Sequence, residues 1–176
     1  MDGDAGAAFE CYMMMADRAL ASFDLQVAAN NYNLALQSAN VDNITEAQQS
    51  VLRKTVVPSI NLAKCLRELA RYQEAEGILT KCIKDARDPT VNKRLHARLL
   101  TTLAELYQAQ SKYESALELH QQSVRLARVG TANVDVAGCI AGYAETLRKS
   151  GDLPQAELHH REALEIRRRA VEEKSC

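Results

Sequence analysis

The sequence predicts an all-α fold in which about four helix pairs stack into a solenoid. One observation is a spaced pattern that returns four times. Its clearest copy reads Leu103-Ala104-x-x-Tyr107, then Tyr113, Ala116, His120 and Ser123-Val124. A second copy reads Leu62-Ala63-x-x-Leu66, then Tyr72, Ala75, Leu79 and Cys82-Ile83. The last copy reads Tyr143-Ala144-x-x-Leu147, then Leu153, Ala156, His160 and Ala163-Leu164. A looser first copy runs Met15-Ala16-x-x-Ala19, then Leu25, Ala28, Tyr32 and Ala35-Leu36. A second observation is the period: the anchors Leu25, Tyr72, Tyr113 and Leu153 stand 47, 41 and 40 residues apart by subtraction. Repeats of this size are stacked helix pairs, because a lone pair cannot bury its own apolar face. Composition agrees, since 176 residues hold only 7 Gly and 3 Pro and no Trp.

The elements follow in order. Residues 1–5 read as a disordered lead. The first pair covers 6–21 and 24–39. Thr45-Glu46-Ala47-Gln48 is a capping-box pattern, so added or extended helix is expected within 40–55. Pro58 lacks an amide and clashes one turn back, which predicts a kink or a fresh start near Thr55. The second pair then runs to about 69 and over 72–87. Asp88-Pro89 joins a capping carboxylate to a first-turn proline, so the third pair is placed at 89–110 and 112–128. Gly130-Thr131 separates it from the fourth, at 132–149 and 153–173, where Gly151 makes the turn and Asp152 caps. Ala16, Ala63, Ala104 and Ala144 mark close approaches on the first helices, matched by Ala28, Ala75, Ala116 and Ala156 on the second. Residues 1–176 are thus expected to form one domain with repeats at about 6–40, 44–88, 89–129 and 131–174.

Charge and cysteine usage narrow the function classes. Lys and Arg number 22 against 23 Asp and Glu, a formal net charge of -1, so the basic footprint of a nucleic-acid binder is missing. No apolar run is long enough to span a membrane, and the N-terminus reads as neither basic nor apolar, unlike a secretory signal. Five cysteines at 11, 65, 82, 139 and 176 include no Cys-x-x-Cys. They fit neither a zinc site nor a disulfide framework. Buried thiols in a reducing cytoplasm are expected, with Cys176 reactive by exposure. His159-His160 points its rings about 100° apart on a helix, and no third ligand accompanies it, so no metal is expected. His120 and His160 share one repeat position and read as packing residues. Arg167-Arg168-Arg169 suits the polar end of a terminal helix. No nucleophile, base and oxyanion grouping is visible, so no catalytic residue or cofactor is assigned.

Two stretches carry a resemblance to a known family. The runs Leu103-Ala104-Glu105-Leu106-Tyr107-Gln108-Ala109-Gln110-Ser111-Lys112-Tyr113-Glu114-Ser115-Ala116 and Ala156-Glu157-Leu158-His159-His160-Arg161-Glu162-Ala163-Leu164-Glu165-Ile166-Arg167 are similar to tetratricopeptide repeats (TPRs). The likeness is to the long-period kind found in kinesin light chains and nephrocystin-3-like proteins. It implies a right-handed α-solenoid of about four TPR helix-turn-helix repeats, acting as a non-catalytic scaffold or adaptor. The family binds peptides on a concave face lined by the first helix of each repeat.

Carried onto this chain, that face offers Asn61, Lys64 and Arg67 in the second repeat. It offers Arg98, Thr101, Glu105 and Gln108 in the third, and Glu145, Arg148 and Lys149 in the fourth. Arg67, Gln108 and Arg148 hold equivalent positions and are expected to form a row. Arginine's planar fork suits a partner's carboxylate, so a protein or peptide with an acidic segment is expected, its apolar anchor reaching towards Ile60 or Met13. Asparagine just before the Leu-Ala pair, a frequent ligand grip in the family, occurs only at Asn61. Met13-Met14-Met15 reads first as core or end-cap packing, with Met15 on the core position; the alternative is a soft contact patch made by Met13 and Met14. The alternative is a structural subunit joined to an assembly or to its own copies through terminal helices, with Leu158 and Ile166 as the candidate surface. A monomer or weak homo-oligomer is the expected state.

Overall fold

The computed structural model describes residues 2–39, 48–85, 93–128 and 134–172. Among them are eight helices and no strand: α1 (Asp2–Ala21), α2 (Leu25–Ala39), α3 (Gln48–Glu68), α4 (Tyr72–Asp85), α5 (Lys93–Ala109), α6 (Tyr113–Ala127), α7 (Val134–Ser150) and α8 (Leu153–Glu172). They divide into two compact units, Met1–Asn92 and Lys93–Cys176, each holding two helix pairs. In the first unit α1 packs on α2, α2 on α3 and α3 on α4. In the second, α5 packs on α6, α6 on α7 and α7 on α8, with α5 also touching α7.

The eight small alanines explain this packing. Ala16, Ala28, Ala75, Ala104, Ala116 and Ala144 are fully buried, and Ala63 and Ala156 nearly so. A methyl at each position lets two backbones approach, and a larger side chain would hold them apart. In the second unit Val136, Ala137, Ile140 and Ala163 form a core on which Val124, Ala127, Ala141 and Ile166 pack.

Within each pair the helices are joined by one turn, used four times. Phe23, Ala70, Ser111 and Gly151 all have positive φ, at 60°, 58°, 60° and 98°. The following amide reaches back five residues: Asp24 to Ala19, Arg71 to Leu66, Lys112 to Tyr107 and Asp152 to Leu147, at 2.8–2.9 Å. This left-handed closure satisfies carbonyls at the end of the first helix. Asp24 and Asp152 then accept the amides of Val27 and Gln155, both at 3.2 Å, to start α2 and α8. Only Gly151 is suited to the conformation. Phe23, 88% exposed, bears the steric cost of a left-handed residue with no burial in return. Phe23→Gly is therefore expected to raise stability by about 1 kcal/mol, read as a higher urea midpoint. A lower midpoint would show that the ring's contacts outweigh the strain.

Several boundaries differ from the sequence reading. Helix α1 already begins at Asp2. Helix α3 runs unbroken from Gln48 through Pro58 to Glu68, so there is no fresh start at Thr55. Pro58 is buried, and packing on α2 and α4 outweighs the missing amide bond. Thr45-Glu46-Ala47, Asp88-Pro89 and Gly130-Thr131 lie outside the described residues. Met15 is 50% exposed, not core, and His160 is exposed whereas its counterparts Tyr32, Leu79 and His120 are fully buried. Cys65 and Cys139 are buried, and Cys82 donates to the Ser59 hydroxyl at 3.1 Å. Burial pushes the Cys65 and Cys82 thiols up. Cys11, however, is exposed. Cys176 lies outside the described residues.

Candidate functional site

The first helices of the second unit carry a joined polar network. Gln108 of α5 donates to the Thr146 hydroxyl of α7 at 2.9 Å and accepts from Lys149 Nζ at 3.2 Å. Arg148 forks onto Glu145, Nε to Oε2 at 2.8 Å and Nη2 to Oε1 at 2.7 Å, with Lys149 Nζ 3.9 Å from Glu145 Oε1. The hydrogen bonds from Arg148 hold the Glu145 carboxyl below its ordinary range and raise the guanidinium in turn. Arg148 and Lys149 remain 53% and 40% exposed, so solvent and ligands can reach both cations. Of the expected row, Gln108 and the Glu145–Arg148–Lys149 cluster are thus brought together across α5 and α7.

Other expected contributors sit differently. Thr101 is engaged inside the unit: its hydroxyl shares a 2.6 Å hydrogen bond with Ser123 of α6 and lies 3.5 Å from Cys139 Sγ of α7. Arg98 and Glu105 are half-buried on α5. In the first unit Arg67 donates to Glu68, from Nε at 3.1 Å and Nη2 at 2.7 Å. Asn61 donates to the Tyr32 hydroxyl at 3.3 Å, and that hydroxyl donates to Asp17 at 2.5 Å. Burial, together with the Asp17 hydrogen bond, raises the Tyr32 pKa, and the hydrogen bond donated by Asn61 opposes the shift without cancelling it. Asn61 is therefore partly committed to holding α3 against α2. Lys64 is exposed on α3. Ile60 is only 1% exposed and cannot receive a partner's anchor without rearrangement. Ile166 packs into the core around Val136 and Ile140, whereas Leu158 is 59% exposed.

The first unit also holds a feature that the repeat pattern did not signal. A cavity of about 260 Å³ opens between α2, α3 and α4, lined by Leu36, Thr55, Val56, Ile78, Lys81 and Cys82 among others. Among the described residues no group of three His, Cys, Asp or Glu comes together to hold a metal, and no helix is long and apolar enough to cross a membrane.

Comparison with known proteins fits this geometry. Tetratricopeptide repeat models match residues 95–169 and 60–92, together more than half of the chain. The chain belongs to the tetratricopeptide repeat family. No curated protein sequence matches it. Among solved structures, BtubC (BKLC) from P. vanneervenii superposes with a TM-score of 0.73 at 19% identity, over 96% of this chain and 66% of its own. The apo form of RapI gives a TM-score of 0.72 at 14% identity, over 91% of this chain and 56% of its own. The yeast Sti1 TPR2AB domain, in its complex with pHSP90, gives 0.56 at 12% identity, over 92% of this chain and 78% of its own. The chain thus spans about two thirds of BtubC and little more than half of RapI. At these identities the likeness establishes a shared helical-repeat fold, and the TPR chain's ligand is a separate question.

Proposed function

We propose that residues 1–176 act as a non-catalytic TPR scaffold, holding a segment of a partner protein against the first helices of its repeats. The observation that carries this reading is the exposed cluster of Arg148, Lys149 and Glu145 joined to Gln108. Arg148's fork is held ready by Glu145, and an incoming carboxylate can replace Glu145 with little change in geometry. Lys149 adds a second cation, which the Gln108 amide holds in place from α5. A partner segment with Asp or Glu beside an apolar residue fits this surface, as it fits Lys64 and Arg67 in the first unit. The Sti1 complex supports the class of function, a TPR domain holding another protein, and not the identity of the partner.

Display of random peptides tests the reading. The wild-type chain is expected to enrich acidic segments carrying an apolar residue, with binding that weakens as salt rises past the point where the screening length is about 8 Å. Arg148→Glu with Lys149→Glu is expected to abolish that enrichment while the helical signal stays unchanged. Enrichment of the same peptides by the folded double variant would remove this surface from the mechanism.

A further inference from the structure

The two terminal helices each expose the face that the other type of helix covers elsewhere in the chain. In the first helices, positions equivalent to Cys11, Met15 and Arg18 are Pro58, Leu62 and Cys65 on α3, and Cys139, Tyr143 and Thr146 on α7. On α3 and α7 these residues are buried or half-buried, with α2 and α6 respectively packed against the helix. On α1 the same face is open, with Met14 66% and Met15 50% exposed and Cys11 and Arg18 exposed beside them.

The converse holds at the other end. Leu25, Tyr32 and Leu36 on α2, and Tyr113, His120 and Val124 on α6, are buried or half-buried. Their equivalents on α8 are Leu153, His160 and Leu164, and here Leu153 is 62% and Leu164 59% exposed, with His160 exposed between them. Spacings of seven and four residues put the three on one helical stripe, and Val171, 65% exposed, continues it a further seven residues on. Leu158 falls on a different face of α8, and Ile166 points into the core, so the pair expected from sequence does not make this stripe.

From this complementarity we infer that the chain associates end to end with a second copy of itself, the α8 stripe of one copy seating on the α1 face of the next. The seat repeats a junction the chain makes twice. In the α6–α7 junction the His120 ring lies 6.4 Å from that of Tyr143, and Gln121 bonds the Tyr143 hydroxyl, while Val124 and Ala127 pack towards Val136 and Ile140. The two helices therefore run antiparallel. The same register sets His160 against Met15, Leu164 against the turn around Ala8 and Cys11, and Glu157 opposite Arg18. Charge does not oppose that direction: the register sets Glu157 opposite Arg18, and the last turns of α8 carry Arg167 and Arg168, with Arg169 already paired to Glu165. A second copy covers both open faces at once. The contact is heterologous, so it propagates beyond the dimer into rings or open chains.

Sedimentation velocity over a concentration series tests the inference. The wild type is expected to rise in mean mass past the dimer as concentration increases. Leu164→Glu and Met15→Glu, both on exposed positions, are each expected to weaken association by more than about tenfold, because each puts a charge into an apolar seat. Mixing the two variants is the deciding measurement. Each keeps one intact end, so the mixture is expected to form dimers and stop there. A wild type that stays monomeric at the highest concentration would overturn the inference and leave the two faces to other chain or other proteins. Leu164→Glu dissociating the assembly while Met15→Glu leaves it intact would equally overturn it, in favour of an α8-to-α8 contact. Circular dichroism of both variants separates loss of association from loss of fold.

Discussion

Ala104→Leu is expected to cost the protein roughly 1–3 kcal/mol of stability. Ala104 is fully buried on α5, as are its repeat equivalents Ala16 and Ala144, with Ala63 at 1% exposure. All four sit where a first helix has no room beyond a methyl, and three added carbons must displace a neighbouring helix or take a poor rotamer. The control is Ala109→Leu, at the exposed end of the same helix, which is expected to change stability by less than about 0.5 kcal/mol. Equilibrium denaturation of the two variants against wild type checks the difference. Equal midpoints would mean that Ala104 is not at a packed contact and that the repeat register is wrong. The substitution acts inside the second unit, so the loss belongs to the transition of residues 93–176 where the units melt separately.

The alanine register was legible from sequence because it is a steric requirement repeated in every pair. All eight positions are alanine in this chain, and each is at most 3% exposed. What equivalence could not carry over were the ends of the array. Met15 and His160 match core residues position for position, yet both are exposed, because a repeat position is buried only when a neighbouring helix covers it. Burial in a repeat protein is set by nearest neighbours, and α1 and α8 each lack one among the described residues. The left-handed turn was likewise hidden. Gly151 signals it, but Phe23, Ala70 and Ser111 adopt the same conformation with no residue preference for it, held by the helices on either side.

The candidate surface was legible in composition and not in connection. The family resemblance puts Arg148, Lys149, Glu145 and Gln108 on the first-helix face, and in the second unit they meet. It puts Thr101 and Asn61 on the same face, but short polar side chains also serve packing between helices. Thr101 bonds Ser123 and Asn61 bonds Tyr32, contacts between helices that linear spacing does not reveal. Pro58 shows the opposite limit. Its local preference to break a helix is real, and tertiary packing overrides it in α3.

Stability is expected to fall as pH drops from about 7 to 4, with His120 the main contributor above the carboxylate range. His120 is fully buried in α6, and neither ring nitrogen has a hydrogen-bond partner among the described residues. Its surroundings are the Tyr143 ring at 6.4 Å and Gly142, where an added Cβ would come within 2.9 Å of the imidazole, beside the Thr101 methyl. None of these groups supplies a negative charge. Burial therefore pushes the His120 pKa down from 6.5 to about 4. The sign follows: the unfolded chain takes up a proton near 6.5, the folded chain resists it until about 4, and so unfolding is favoured as pH falls between the two. A shift of that size corresponds to about 3 kcal/mol once pH has reached 4. Glu74 and Glu145, held down by Arg71 and Arg148, contribute stability that starts to fall only when pH reaches the ordinary carboxylate range and goes on falling below it. His120→Leu separates the contributions, since leucine at the equivalent position 79 is fully buried and leaves no unpaired nitrogen. The variant is expected to be at least as stable as wild type at pH 8 and to lose little between pH 7 and 5. Urea midpoints at a series of pH values check this, and a variant that weakens in parallel with wild type would mean that some other group drives the acid limb.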